Sequence, residues 1–240
     1  MNIRRLLRSL GWRVGLDIRP FDGVNSEFPQ LMRLLTHHRI NLAVDVGAHV
    51  GDWGERLYQL GYRGRMLSFE PLSWAHAALV RSSARHAGWT VAARCAIGEA
   101  AGEATINISG NGESSSLLPM DQNHLDLAPG SAYVATEQVP VLTLDQALAG
   151  HLRPDTRLFL KIDAQGYERQ VLDGARATLE RTVGLEVELS TQGLYAGQDL
   201  ALGLMQRLAA AGFNLHGVWP IIINGRTGRM AQFDALFFRD

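Results

Sequence analysis

Apolar segments of strand length alternate with segments of helical period along most of the 240 residues, and that alternation leaves few folds open. Residues 41–47 read as a buried strand, after which Trp53, Leu57 and Leu60 recur on one helical face until Gly61 stops the helix. A second strand over Arg65–Phe69 runs into Glu70-Pro71, a helix spans Ser73–His86, and a third strand covers Thr90–Cys95. Gly98–Ile108 reads as a hairpin extension, Ser109–Ala135 as a long polar loop without period, Val139-Pro140-Val141 as a short strand and Leu144–Ala149 as a short helix. Order then resumes with the apolar strand Leu158–Ile162 ending in Asp163, a helix over Tyr167–Glu180, a strand over Val183–Leu189 and a helix over Asp199–Ala211. The last two strands, Asn214–Trp219 and Gln232–Phe238, flank Asn224-Gly225 and Thr227-Gly228, turn chemistry that suits a hairpin. Repeated βα units demand right-handed crossovers with helices on both faces of the sheet. The expected fold class is therefore α/β: a doubly wound, Rossmann-like, mostly parallel sheet with a C-terminal antiparallel hairpin strand.

Composition narrows the classes. With 46% hydrophobic and 20% charged residues, the chain can bury a large core in one domain over residues 41–240, with residues 1–40 as an N-terminal helical segment packed on it. Twenty-three basic and 24 acidic side chains leave a formal charge of -1, which provides no global field for gripping nucleic acid. The single cysteine, Cys95, excludes an intrachain disulfide and a cysteine zinc site, reads as a buried small apolar group, and fits a reducing, cytoplasmic setting. Met1–Trp12 sets Arg4, Arg5 and Arg8 among Ile3, Leu6, Leu7 and Leu10, the pattern of a short amphipathic helix rather than a signal peptide. A solvated packing helix is the favoured reading, and peripheral contact with a membrane surface or an anionic, lipid-linked substrate is the other. No apolar run is long enough to span a bilayer.

In a doubly wound sheet, ligands sit at the carboxyl ends of the strands. Asp45-Val46-Gly47-Ala48-His49-Val50-Gly51 follows the first strand there, a glycine-bearing turn that dehydrogenases, methyltransferases and plain tight turns all use. Four acids end strands on that rim: Asp45, Glu70, Asp163 and Glu188. Glu70 lies 23 positions beyond Gly47, the spacing of a carboxylate that hydrogen-bonds a ribose diol, so a nucleoside-containing cofactor is favoured. Position 49 is His where a dinucleotide turn wants Gly, and a carboxylate at Asp45 would repel pyrophosphate but suit the ammonium or sulfonium of S-adenosylmethionine. No Tyr-x-x-x-Lys pair of the short-chain dehydrogenase kind is present.

The same turn, together with Phe69-Glu70-Pro71, Leu160–Glu168, Val171–Ala175, Val187–Ser190 and Leu194–Gly197, resembles the motifs of FkbM-type methyltransferases over roughly residues 40–240. The Lys161–Glu168 segment is the most specific piece, and Gln232–Asp234 with Phe237–Arg239 matches the family's last strand. The resemblance implies the class I methyltransferase fold and methyl transfer from S-adenosylmethionine to oxygen on sugars, glycans or related natural products. It implies that Asp45, Gly47, Ala48, His49 and Gly51 shape the aminoacyl and ribose pocket, that Glu70 binds the ribose hydroxyls, and that Ala96 and Ile97 flank adenine. Ser115, Ser116 and Leu117 fall at an element the family places near the site. His49 departs from the family's usual Asn.

An acceptor hydroxyl must lose its proton as it attacks, so a general base or a divalent ion is expected. Asp163 and Glu188 are the best-placed catalytic pair, and the same two could hold Mg²⁺ or act without metal. Glu168, Asp234, His49 and His124 are lesser candidates, and Glu168 is equally suited to stabilising its helix N-terminus. Tyr195 and Trp219 could line an acceptor pocket, while His37, His38 and His86 read as surface or packing side chains. The expected partner is a small-molecule or glycan acceptor, with oligomeric state open. The competing readings are an NAD-dependent oxidoreductase on a similar sheet and a non-catalytic methyltransferase-fold binding subunit.

Overall fold

The computed structural model describes residues 3–239, so Met1 and Asn2 of the expected N-terminal helix lie outside the described residues. Two helices come first, α1 (Ile3–Arg13) and α2 (Glu27–His37), before β1 (Leu42–Val46), α3 (Asp52–Gln59), β2 (Arg65–Phe69), α4 (Ser73–Ser83) and β3 (Trp89–Val91). Then follow β4 (Ala96–Ile97), β5 (Gly102–Ser109), α5 (Gln122–Leu127), β6 (Tyr133–Leu142), α6 (Leu144–Leu148) and β7 (Leu158–Ile162). The chain closes with α7 (Glu168–Asp173), α8 (Arg176–Arg181), β8 (Thr182–Ser190), α9 (Ala201–Ala210), β9 (Asn214–Ile223) and β10 (Met230–Phe238). Seven strands form one sheet in the order β3-β2-β1-β7-β8-β10-β9, parallel through β8 and antiparallel at β10 and β9. The strand order reverses beside β1, which places the expected ligand crevice between β1 and β7.

The two faces of this sheet differ. Leu42, Val44, Val46, Leu160 and Ile162 point with Leu185 and Val187 into an apolar layer closed by α7 and α9. The opposite face is apolar at its base, where Ala43 and Phe159 meet Leu31 and Leu35 of α2 and Leu57 of α3. Toward the strand ends it turns polar, because in-register neighbours share a face: Ser68, Asp45, Lys161 and Glu186 make one row across β2, β1, β7 and β8. Glu188 and Asp234 pair one step further out.

Four expected elements come out differently. The helix expected over Tyr167–Glu180 breaks into α7 and α8, because a Cβ at Gly174 would stand 2.0 Å from the Gly98 carbonyl oxygen and Asp145 caps α8 by accepting from Thr178 N and Ala177 N at 2.8 and 3.1 Å. The third strand stops at Val91, since Arg94 donates to Pro71 O, Glu137 and Gln138 O and draws the chain to a second, three-stranded sheet, β4-β6-β5. Residues 109–135 are not one loop: they hold α5, a short 3-10 turn at Pro129–Ser131 and the start of β6, which pairs antiparallel with β5. In contrast to the packing expected of the 1–40 segment, α1 leaves Leu6, Leu7, Leu10 and Trp12 exposed, whereas α2 buries Leu31 and Leu35. Among the described residues no helix is long and apolar enough to cross a membrane.

Candidate active site

A cavity of about 480 Å³ opens where β1, β2, β7 and β8 end, a size in the usual range for small-molecule sites. Its first wall is the turn after β1. Gly47, His49 and Gly51 all take left-handed backbone, with φ of 80°, 48° and 97°. At Gly47 no other residue fits, since a Cβ would stand 1.8 Å from the Asp163 carbonyl oxygen. His49 tolerates the conformation because His, like Asn, enters it more readily than most residues, so the departure from the family's Asn leaves the backbone requirement intact. Its ring stands edge-on to Trp74 at 5.0 Å, and its buried Nε2 has no hydrogen-bond partner.

Glu70 ties this turn to the next element. Its Oε2 accepts from His49 N at 2.7 Å and its Oε1 from Leu72 N at 2.8 Å. The side chain lines the cavity while only 4% exposed, and burial pushes it up to about 7 against the pull of those two N–H donors. Ala96 and Ile97 line the cavity as apolar neighbours, beside Cys95, whose thiol burial pushes up to about 11 and so leaves protonated.

The second wall is the turn after β7. Asp163 lines the cavity with Oδ2 taking a hydrogen bond from Lys161 Nζ at 3.1 Å and Oδ1 one from Gln165 Nε2 at 2.8 Å. The same Gln165 nitrogen donates to Glu188 Oε2 at 2.8 Å, where Gln232 Nε2 also donates at 2.7 Å. Tyr195 is 2% exposed and donates to Gln165 Oε1 at 2.7 Å, so it positions that amide from behind rather than lining the cavity. Burial, then the charges of Asp163 and Asp234, holds Glu188 well above the carboxylate range. Gln165 and Gln232 had no motif to announce them. Their role follows from contacts across 23 and 44 residues of chain.

Several expected contacts move. Asp45 is fully buried and does not reach the cavity; it faces Lys161 Nζ at 3.7 Å, and neither of its oxygens has a hydrogen-bond partner. Burial raises it to about 6, with Lys161 pulling the other way. The exclusion of pyrophosphate argued from Asp45 therefore passes to Asp163, the carboxylate that does line the cavity. Gly51 shapes the turn from outside, since a Cβ there would meet Leu79 and Trp89 at 2.9 and 3.0 Å. Glu168 is 3% exposed and accepts from Ala164 N and Gly166 N at 3.1 and 3.0 Å, holding the second turn from inside. Trp219 donates to Gln30 on α2 at 2.9 Å, away from the cavity. Asp234 does line it, raised to about 7 by burial and by Asp163.

Mg²⁺ does not fit at Asp163 and Glu188. The Gln165 amide nitrogen bridges their oxygens and the Lys161 ammonium holds the remaining Asp163 oxygen, so donors occupy the positions a hard cation would need. Burial pulls Lys161 down, but Asp163, Asp45, Glu186 and Asp234 outweigh it and keep the ammonium charged.

Residues 111–117 roof the cavity and are well tied. Ser116 Oγ donates to Gln165 O at 2.7 Å, Ser115 Oγ donates to Gly112 O at 2.8 Å, and Asn107 and Ser116 exchange backbone hydrogen bonds. His124 of α5 also lines the cavity, 1% exposed, with both ring nitrogens unpartnered, and burial lowers it toward the neutral form.

Residues 45–215 match the Methyltransferase FkbM domain. The chain belongs to the FkbM methyltransferase family. A methyltransferase FkbM from Methylobacillus flagellatus KT has a similar structure, with 18% identity and a TM-score of 0.52 over 83% of this chain. The matched part is 43% of that protein, so this FkbM chain spans less than half its length. The METTL16 methyltransferase domain aligns over 99% of this chain and 79% of its own at 12% identity and a TM-score of 0.48. An rRNA methylase from Streptococcus thermophilus aligns over 90% and 98% at 10% identity and the same score. The family match and the likeness to the Methylobacillus flagellatus protein show the class I methyltransferase fold. No curated protein sequence is significantly similar to this chain.

Proposed function

We propose that this FkbM-family methyltransferase uses S-adenosylmethionine to methylate a hydroxyl of a sugar, glycan or small natural product. The observation that carries the reading is the donor set of the cavity. Glu70 offers a carboxylate for a ribose diol, Ala96 and Ile97 offer apolar surface for adenine, and Asp163 offers negative charge for the cationic end. The His49 side chain also lines that space, with its Nε2 buried and unpartnered. When bound, the cofactor supplies a methyl group activated by a positively charged sulfur.

The chain's own residues would do the rest. Gly47, Ala48 and His49 form the wall against the aminoacyl and ribose groups, and Ser115 and Ser116 hold the roof that keeps water out. Asp163, fixed by Lys161 and Gln165, orients the acceptor hydroxyl. Glu188, which burial and the neighbouring charges keep protonated, hydrogen-bonds the acceptor oxygen, and Asp163, paired with the Lys161 ammonium, takes the proton the hydroxyl releases. A polar rim of Asn111, Glu113, Gln165 and Gln232 suits a hydroxylated acceptor, and the single buried cysteine fits a reducing cytoplasm.

Calorimetry with S-adenosylhomocysteine tests the assignment. Glu70→Ala should weaken binding at least about tenfold, the loss of charge-assisted hydrogen bonds of ~1.5–3 kcal/mol. Asp163→Asn and Glu188→Gln should bind it nearly as wild type while methyl transfer to hydroxylated acceptors falls by orders of magnitude. Stabilisation by NADH instead of S-adenosylhomocysteine in a thermal shift would favour the oxidoreductase, and binding of neither would favour a non-catalytic subunit.

A further inference from the structure

Helix α1 carries four arginines, Arg4, Arg5, Arg8 and Arg13, and no acid, so it holds +4 while the whole chain is -1 and the remainder -5. Leu6, Leu7 and Leu10 fall within one 100° arc of the helix, and Arg5 and Arg8 lie on the arc opposite. All three leucines are exposed, at 39%, 48% and 48%, and the following Val14, Leu16 and Ile18 are exposed at 72%, 59% and 47%. Nine of the nineteen exposed large hydrophobics among the described residues fall between Leu6 and Val24. None belongs to a core cluster, so this concentration does not come from packing.

We propose that α1 and the segment after it dock on an anionic lipid surface, leucines in the acyl boundary and arginines at the headgroups. A large apolar stripe, a cationic opposite face and low overall hydrophobicity are the combination that lies in a bilayer interface rather than across it. The charge decides the surface, since +4 on α1 of a net acidic molecule, reduced at Arg8 by its ion pair with Asp17 at 3.3 Å, complements anionic headgroups. The leucines decide against nucleic acid, whose bases stack on aromatic faces and whose phosphates pair with cations, leaving an aliphatic stripe without a counterpart. A second copy would bring the same four arginines against these.

The full chain should co-sediment with vesicles holding about 30% phosphatidylglycerol and not with phosphatidylcholine alone, and 0.5 M salt should release much of it. Leu7→Glu with Leu10→Glu should abolish binding, and Arg5→Gln with Arg8→Gln should weaken it about 25-fold, near fivefold for each arginine. An unchanged far-UV spectrum and melting temperature would show the variants folded. Equal binding to both vesicle types, no binding to either, or binding that survives the double leucine change would overturn the proposal. So would retention of RNA by α1 with no vesicle binding, or a dimer in sedimentation equilibrium that the leucine changes dissolve. None of these readouts depends on cofactor or acceptor.

Discussion

The turn after β1 bends through left-handed residues at Gly47, His49 and Gly51, and the turn after β7 does so at Gln165 and Gly166. Each is held by one buried glutamate that accepts two backbone N–H bonds: Glu70 from His49 and Leu72, Glu168 from Ala164 and Gly166. Burial is the main force on both, and both sit at about 7. The difference is where the carboxylate comes from. Glu70 reaches in from the next strand and keeps its outer side on the cavity, whereas Glu168 lies in the helix that its own turn starts and faces inward. The same device serves recognition at one turn and backbone support at the other.

Breaking the second device should cost the most stability. Glu168→Ala removes the acceptor for two N–H groups in a buried turn, and unfolding in urea should show a loss of about 2–4 kcal/mol. Glu168→Gln keeps an acceptor oxygen and should lose under ~1 kcal/mol. If Glu168→Ala instead left stability intact and abolished S-adenosylhomocysteine binding as Glu70→Ala should, the division between the turns would be wrong.

Acidification tests what they share. Asp45 is raised to about 6 and Glu70, Glu168 and Asp234 to about 7, while free carboxyls titrate near 4. Between those values the folded chain holds protons that the unfolded chain has released, so stability rises as pH falls through that window. The ligand-free melting temperature should climb by roughly 10 °C from pH 8 to pH 6. It should fall again at lower pH, where partly exposed, paired acids such as Glu55, held at about 2, lose their advantage. A melting temperature that drops steadily from pH 8 would refute the buried, proton-holding state of this group.

The smallest effect is expected at His49. Asn shares its tolerance of left-handed backbone, so His49→Asn should change stability by less than ~0.5 kcal/mol and cofactor affinity by less than about threefold. His49→Val, β-branched at a φ of 48°, should cost about 1–3 kcal/mol. An affinity loss in His49→Asn as large as that of Glu70→Ala would make the imidazole itself a cofactor contact.

Much of the scaffold was legible because local signals agree with the fold. The strands at 42–46, 65–69 and 158–162 are short apolar runs ended by a turn or an acid, and each formed where the pattern placed it. The place of Glu70 and Asp163 on the cavity wall was legible from their positions at strand ends. Asp45 was misread because the pattern shows a strand end without showing which rows reach the rim. Gln165 and Gln232 were invisible, since an amide that bridges distant carboxylates leaves no periodicity. The break at Gly174 was hidden for a similar reason, as it answers a backbone far back in sequence at Gly98.

By itself, then, the order of apolar runs and turn residues determined a doubly wound sheet and its crevice beside β1, while the resemblance of its motifs pointed to the family to which the chain belongs. Only the tertiary structure decided which charges meet. The register that aligns Asp45, Lys161 and Glu186 across three strands joins residues more than a hundred positions apart. That alignment buries Asp45 under an ammonium and hands the cavity to Asp163, because parallel pairing places side chains by row and face, and no local pattern encodes the row.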